Sequence, residues 1–228
     1  MNWILTFFKS SIGQKLIMSL TGLFLILFLI VHLGGNLQLL KDDGGEAFNI
    51  YAYYMTHNPL IKTVSYGLYF FIVLHAIQGI VLWRYNVQAR GKQKYAVKSG
   101  STTSWASRNM GMLGSLILIF IFIHMGDFWF AMKTDQLPMV SYESMDVKVA
   151  DLYYKVNLSF QQLWIVIFYV IAMIGLAYHL SHGFESAFQS LGINHNKYTP
   201  IIKGVGKIYS IVVPLGFAII PLYYYLFK

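Results

Sequence analysis

Four histidines lie inside long apolar segments of this chain: His32, His75, His124 and His179. An ionisable side chain is costly to bury in such surroundings, so each is a functional hypothesis by default. A buried histidine can bind a metal, relay protons or form a hydrogen bond to a neighbouring helix. For a single buried histidine, a hydrogen bond to a neighbouring helix is as good an explanation as a functional role. Four such histidines in one chain favour a functional role.

The segments around these histidines are long enough to cross a bilayer. A transmembrane helix needs about 20 apolar residues, and backbone groups in lipid must be paired within the chain. The sequence therefore predicts an all-α membrane protein of a single domain, residues 1–228, in which four of five helices form a bundle carrying one histidine each. The predicted spans are 16–40, 60–84, 106–131, 159–184 and 203–226.

The depth of the histidines follows from the alternating direction of the spans. Each histidine lies in the later half of its span. His32 and His124 are therefore expected near one face, and His75 and His179 near the other. Two pairs at two levels, about 15 Å apart at the helical rise, fit two six-coordinate haem irons held by facing helices.

Glycines divide the same four helices into two classes. Gly22 and Gly114 each precede a histidine by ten residues, whereas Gly79 and Gly183 each follow one by four. Because glycine has no Cβ, it leaves room for a flat ring system lying against a helix. The interpretation that small residues only allow close helix packing explains each glycine singly. The matched spacing favours haem.

Composition excludes several other classes of protein. The chain has 57% hydrophobic and 11% charged residues, which is typical of a membrane protein. It contains no cysteine, so disulfides, iron–sulfur ligation and covalent haem attachment are excluded. The net charge of +8 does not indicate nucleic-acid binding, because the basic residues lie between apolar runs rather than on a soluble face.

The distribution of charge predicts the orientation of the helices. Eight of the nine acids lie on the face opposite most of the basic residues. By the positive-inside rule, the amino terminus is predicted to be cytoplasmic and the carboxyl terminus outside. The basic residues on the cytoplasmic face are Lys9, Lys15, Arg84, Arg90, Lys92, Lys94, Lys98, Arg108, Lys197, Lys203 and Lys207.

A single cysteine tests this orientation, since the natural chain has none. Ser99→Cys is expected to be protected from an impermeant thiol reagent in intact cells and to react after the cells are opened, because residues 91–104 are predicted to face the cytoplasm. A cysteine placed at Ser144, on the opposite face, is the control and should react in intact cells. Labelling of Ser99→Cys in intact cells would contradict the predicted orientation.

Several stretches of the chain resemble a known family. They are the run SLTGLFLILFLIVH ending at His32, Glu46-Ala-Phe-Asn49, Leu74-His75-Ala76 with Gly79, and His179-Leu-Ser-His-Gly183 leading to Leu191-Gly192-Ile193. Their order and spacing resemble the five-helix, two-haem cytochrome b subunit, the membrane anchor, of succinate dehydrogenases (succinate:menaquinone oxidoreductases) and fumarate reductases.

The resemblance implies specific cofactors and partners. It implies two haem b groups, an outer one held by His32 and His124 and an inner one held by His75 and His179, with His179 rather than His182 as the ligand. It also implies a flavoprotein subunit that carries the dicarboxylate chemistry, an iron–sulfur subunit, and menaquinone as the membrane substrate. The expected location is the bacterial cytoplasmic (inner) membrane, and the expected role is electron transport in the tricarboxylic acid cycle or fumarate respiration.

Further binding residues are expected at both levels. Ser19, Arg84 and Arg108 lie near the inner level and are candidates for haem propionates, although arginines at an interface also extend towards water without a ligand. Similar proteins exchange electrons with menaquinone near the outer haem, so an ionisable group is expected there. The candidates are Asp127, one helical turn beyond His124, and Glu46. No catalytic residue is assigned.

Two other functions use the same residues. A two-haem cytochrome b of a hydrogenase or formate dehydrogenase would have the same haem chemistry with a different soluble partner. A haem-free transporter or membrane scaffold would use the histidines only for hydrogen bonds between helices.

Overall fold

The structure is a computed structural model that describes residues 3–91 and 104–228. The basic residues Lys92, Lys94 and Lys98 and the test position Ser99 lie outside the described residues. The orientation of the chain stays a prediction.

Five helices are long and apolar enough to cross a membrane, which confirms the predicted all-α membrane class. The amino-terminal helices are α1 (Trp3–Lys9) and α2 (Ser11–Asn36), followed by a 3-10 turn (Leu37–Leu40), α3 (Glu46–His57) and α4 (Pro59–Arg90). The third span contains α5 (Trp105–Arg108), α6 (Met110–His124), a π-helical turn (Met125–Phe130) and α7 (Ala131–Lys133). A two-residue hairpin follows, β1 (Met139–Val140) and β2 (Val149–Ala150), and then α8 (Leu152–Phe160), α9 (Leu163–Ser190) and α10 (Thr199–Phe227).

Two segments differ from the expected spans. The fourth span was expected from residue 159, but α8 ends at Phe160 and α9 begins at Leu163. Residues Gln161 and Gln162 separate them, and Gln162 has an extended backbone that interrupts the helical hydrogen bonds. The other difference follows His124, where the helix widens into the π turn instead of continuing as α-helix. Such turns inside helices often mark functional sites.

The four histidine-bearing helices form a four-helix bundle in which each helix packs against two neighbours and lies diagonally opposite the third. Helix α2 packs against α4 and α9, and α6 packs against the same two helices. The diagonal pairs, α2 with α6 and α4 with α9, are not in extensive contact. Helix α10 lies outside this square and packs against α9 and α2, as expected for a scaffold helix without a histidine. The bundle axis is therefore reached by side chains rather than by backbones.

The end of the bundle that carries His32 and His124 is closed by contacts among the 3-10 turn, α3, α8 and α10. Helix α3 begins after Gly45, whose φ of +89° suits glycine and whose missing Cβ leaves space for the ring of Tyr153 on α8. The Tyr224 hydroxyl of α10 donates to the Leu39 carbonyl at 3.0 Å. These contacts join the 3-10 turn, α3, α8 and α10 into one apolar cluster around Phe48, Phe160 and Tyr224.

Asn49 links α3 to the start of α8. Its side chain is 1% exposed, and its amide nitrogen donates to the Tyr142 hydroxyl at 2.8 Å and to the Asp151 carboxylate at 2.9 Å. Its amide oxygen accepts from the Tyr153 backbone N–H at 2.9 Å. Burial raises the pKa of Tyr142, so this phenol stays neutral. Asn49, part of the Glu46–Asn49 resemblance, therefore has a structural role.

Asn49→Ala is expected to lower the free energy of unfolding by about 2 kcal/mol, because three hydrogen bonds of a buried amide are lost and the part-buried Tyr153 N–H is left without an acceptor. Thermal unfolding in detergent measures the change. Asn157→Ala is the matched control, since that side chain makes only an exposed bond to Gln161 at 3.4 Å. Equal stability of the two variants would contradict the role of Asn49.

Candidate functional site: two histidine pairs on the bundle axis

The structure brings the four histidines together in two pairs. The ring centroids of His32 and His124 are 5.8 Å apart, and those of His75 and His179 are 6.3 Å apart. Each pair joins two diagonal helices, α2 with α6 and α4 with α9. The side chains of all four are partly buried. The two pairs are the ones proposed from the sequence, and their role as iron ligands stays a prediction.

The separation within each pair fits one metal ion between two imidazoles. An imidazole nitrogen binds a first-row metal at about 2.0 Å. The ring centroid lies roughly 1.1 Å behind that nitrogen, so two imidazoles on opposite sides of one ion have centroids about 6 Å apart. The observed 5.8 and 6.3 Å lie on either side of this value.

The described residues contain no group of three or more histidines, cysteines and acids able to hold a metal ion. A porphyrin already supplies four of the six ligands of its iron, so two imidazoles complete the set. The donor set of each pair therefore fits haem better than a metal held by protein side chains alone.

Glycines flank the inner pair from the other two helices. A Cβ at Gly22 would lie 3.4 Å from the His75 ring, and a Cβ at Gly114 would lie 4.0 Å from the His179 ring. Gly22 and Gly114 therefore lie beside the inner histidines of neighbouring helices. They do not lie beside His32 and His124, which follow them by ten residues on their own helices. Because ten residues separate Gly22 from His32, the two levels are about 15 Å apart along α2.

Aromatic side chains surround the outer pair. Phe28 stacks on His32 with centroids 5.0 Å apart, and Phe120 stacks on His124 at 5.5 Å. Both are one turn before their histidine on the same helix. Phe217 of α10 approaches His32 at 5.6 Å, so the scaffold helix also contributes to this level. The stacked rings limit rotation of the imidazoles and keep the site apolar.

Three imidazoles have a polar neighbour at Nδ1. The Thr21 hydroxyl is 3.0 Å from His75 Nδ1, and the Tyr169 hydroxyl is 3.2 Å from His124 Nδ1. The Asn36 amide nitrogen donates to the His32 carbonyl at 2.7 Å and lies 3.3 Å from His32 Nδ1. The Asn36 amide donates towards His32 Nδ1, which favours the tautomer with its proton on Nε2. Binding of iron at His32 Nε2 would therefore require this 3.3 Å contact to break.

His179 differs from the other three histidines. Its Nδ1 is buried and has no hydrogen-bond partner among the described residues. The amide nitrogen of Gln78, three residues after His75, shares this property. His182 lies one turn further along α9 and is half-buried, whereas the ring that faces His75 belongs to His179.

The residues predicted to contact propionates are dispersed. Ser19 is 3% exposed, and its hydroxyl donates to the Lys15 carbonyl at 2.8 Å, so it would have to rotate to donate elsewhere. Arg84 and Arg108 are exposed. Their contact with a propionate stays a prediction.

Asp127 lies in the π turn and belongs to a polar cluster near the outer pair. It forms an ion pair with Lys155 of α8 at 2.5 Å and accepts a hydrogen bond from the Ser159 hydroxyl at 2.7 Å. A cavity of about 370 Å³ is lined by all three residues and by Trp164 and Tyr169. Since Tyr169 contacts His124, this cavity adjoins the outer pair.

A second cavity, of about 260 Å³, is lined by the same ion pair. Asp127 and Lys155 line both cavities, and the second also includes Gln136, Pro138 and Tyr154 from the outer segment. Glu46 lines neither of these two cavities and instead accepts from the Ser144 hydroxyl at 2.5 Å. The two acids proposed from the sequence are therefore in different surroundings.

No protein-family model, curated protein or solved structure matches this chain.

Sequence reasoning missed Thr21, Tyr169, Lys155 and Ser159. One signal was present for Tyr169, which precedes His179 by ten residues, the offset already found between Gly22 and His32. On each of these helices, ten residues span the distance between the two histidine levels. Lys155 and Ser159 gave no comparable signal, because the break between α8 and α9 decides where they point.

Proposed function

We propose that this chain is a two-haem cytochrome b, the membrane anchor of a succinate dehydrogenase or fumarate reductase that exchanges electrons with menaquinone. The observation that carries the proposal is the pairing of four histidines on diagonal helices, at two levels, with centroid separations of 5.8 and 6.3 Å. Cross-helix hydrogen bonding alone would not require both pairs to have the spacing of axial ligands.

The protein's contribution in this proposal is placement. Haem b, when bound, supplies reversible one-electron chemistry at iron. The histidines would hold it by their imidazole nitrogens. Gly22 and Gly114 leave space beside the inner pair, and Phe28 and Phe120 orient the rings of the outer pair. A separation of about 15 Å between the two histidine levels would place both haems within one bundle.

The cavity beside Tyr169 is the proposed menaquinone site. Its volume of about 370 Å³ lies within the range of small-molecule pockets. Apolar side chains of Ile165, Phe168 and Trp164 in the lining suit a fused ring system, and Asp127 and Lys155 add charged groups to it. Quinone reduction takes up two electrons and two protons, so an ionisable group at the cavity is needed as well as a nearby redox centre.

The soluble partners follow from the resemblance. A flavoprotein and an iron–sulfur subunit are proposed to dock on the cytoplasmic face, where the basic segment from Arg84 to Arg108 is a candidate platform. Residues 92–103 of that segment lie outside the described residues. The same positive charge also fits a role in orientation or in contact with anionic lipid.

A reduced-minus-oxidised spectrum of the purified chain tests the haem proposal directly. We expect a b-type spectrum and two haems per chain by pyridine haemochromogen assay. A correctly folded chain without a b-type band would leave a haem-free scaffold as the function. Co-purification identifies the partner: a succinate-oxidising flavoprotein supports the proposal, and a hydrogenase or formate-oxidising subunit contradicts it.

A further inference from the structure

Thr21 contacts an inner histidine from a different helix. Its Oγ1 lies 3.0 Å from His75 Nδ1, and the residue is 2% exposed. The same hydroxyl donates to the Ile17 carbonyl at 2.8 Å, with the Met18 carbonyl at 3.1 Å. A hydroxyl has a single proton, so towards His75 this oxygen acts as an acceptor. The contact therefore favours a proton on His75 Nδ1 and leaves the Nε2 lone pair available.

Tyr169 has the equivalent position at the outer pair. Its hydroxyl lies 3.2 Å from His124 Nδ1, and the residue is 7% exposed. The ring is fixed by Phe120 at 4.9 Å and Phe160 at 5.1 Å. A phenol can donate or accept, but it must accept when His124 binds a metal through Nε2, because Nδ1 then carries the proton.

The second histidine of each pair lacks such an acceptor. His179 Nδ1 has no partner among the described residues, and His32 Nδ1 faces the Asn36 amide nitrogen, a donor. Each level therefore has one imidazole with a hydroxyl acceptor and one without. The acceptor comes from α2 at the inner level and from α9 at the outer level, so each is supplied by a helix that does not carry the histidine it contacts.

We propose that Thr21 and Tyr169 are positioning residues that set the redox potentials of the inner and outer haems separately. The inference rests on the proposed function and adds a role for two hydroxyl groups. An acceptor at Nδ1–H fixes the tautomer and orientation of the imidazole and makes it a more basic ligand. A more basic axial ligand stabilises oxidised iron, so each hydroxyl lowers the potential of its own haem.

Potentiometric titration of the purified haem-containing complex tests this inference. Thr21→Val is expected to raise the midpoint potential of the inner haem, with a change of about tenfold in its redox equilibrium, or 59 mV for one electron. Thr21→Ser should keep the wild-type value because the hydroxyl is retained. Tyr169→Phe should raise the outer potential by a similar factor. In each variant the other haem is expected to be unchanged.

Tyr209→Phe is the matched control, since this tyrosine of α10 donates to the Ile26 carbonyl at 2.6 Å instead of contacting a histidine. It should change neither potential. Loss of the inner haem in Thr21→Val, with retention in Thr21→Ser, would also support the inference. Any of three results, with two haems bound in the wild type, would overturn the inference. They are unchanged potentials in Thr21→Val and Tyr169→Phe, equal shifts in Tyr209→Phe, or the same shift in Thr21→Ser as in Thr21→Val. A wild-type chain without haem would instead refute the proposed function.

Discussion

His124→Ala is expected to abolish the same haem that His32→Ala abolishes, while His75→Ala and His179→Ala abolish the other one. The reason is that, in the proposed function, each haem would take both of its protein ligands from one pair, and a bundle core offers no water ligand of comparable strength. Haem content should fall from two to one per chain. Potentiometric titration identifies the remaining centre, provided the two midpoints differ.

His182→Ala is the control for helix α9, because His182 lies one turn from His179 but its ring is not the one that faces His75. This variant should keep both haems. Loss of the same centre in His32→Ala and His75→Ala would refute the pairing. Loss of a haem in His182→Ala, with both retained in His179→Ala, would reassign the ligand on α9.

Asp127→Asn is expected to lower the rate of electron exchange with a soluble naphthoquinone by about 100-fold, the usual scale for loss of a group that transfers protons. Asp127 pairs with Lys155 and lines both cavities, so its carboxylate can exchange protons with either one. An amide cannot do so. Succinate oxidation with a soluble dye as acceptor should keep its wild-type rate.

Glu46→Gln is the matched control for this experiment. Glu46 was the other acid proposed from the sequence, but it bonds to Ser144 and lines neither cavity. Its variant should exchange electrons with the quinone at the normal rate. The double variant Asp127→Asn with Lys155→Met removes the unpaired ammonium left by the single change, and it should be equally slow. Normal quinone rates in Asp127→Asn, or slow rates in Glu46→Gln, would contradict the assignment.

The sequence was sufficient for features that depend on hydropathy and helical periodicity. Apolar length gave the five spans, and the alternating direction of the helices gave the two levels of histidines. Gly22 and Gly114 were recognised by their spacing, but their neighbours were not, because spacing along one helix does not say which other helix faces it. Their proximity to His75 and His179 depends on packing between helices.

The polar features were harder to predict because they depend on local backbone geometry. Asp127 was predicted from its distance to His124, whereas its partner Lys155 comes from a short helix, α8, most of which precedes the predicted fourth span. The break at Gln161–Gln162 and the π turn around Asp127 decide that these two side chains meet. Thr21 lies inside the conspicuous run that ends at His32, but its contact is with a histidine on another helix.

The diagonal pairing also fixes the order in which the two centres become complete during synthesis. His32 and His124 belong to the first and third spans, so both outer ligands have left the ribosome before the fourth span is made. The inner pair must wait for His179 on the fourth span, although His75 emerges before His124. Since chains are made from the amino terminus, a nascent chain truncated between the third and fourth spans contains both ligands of one centre and a single ligand of the other.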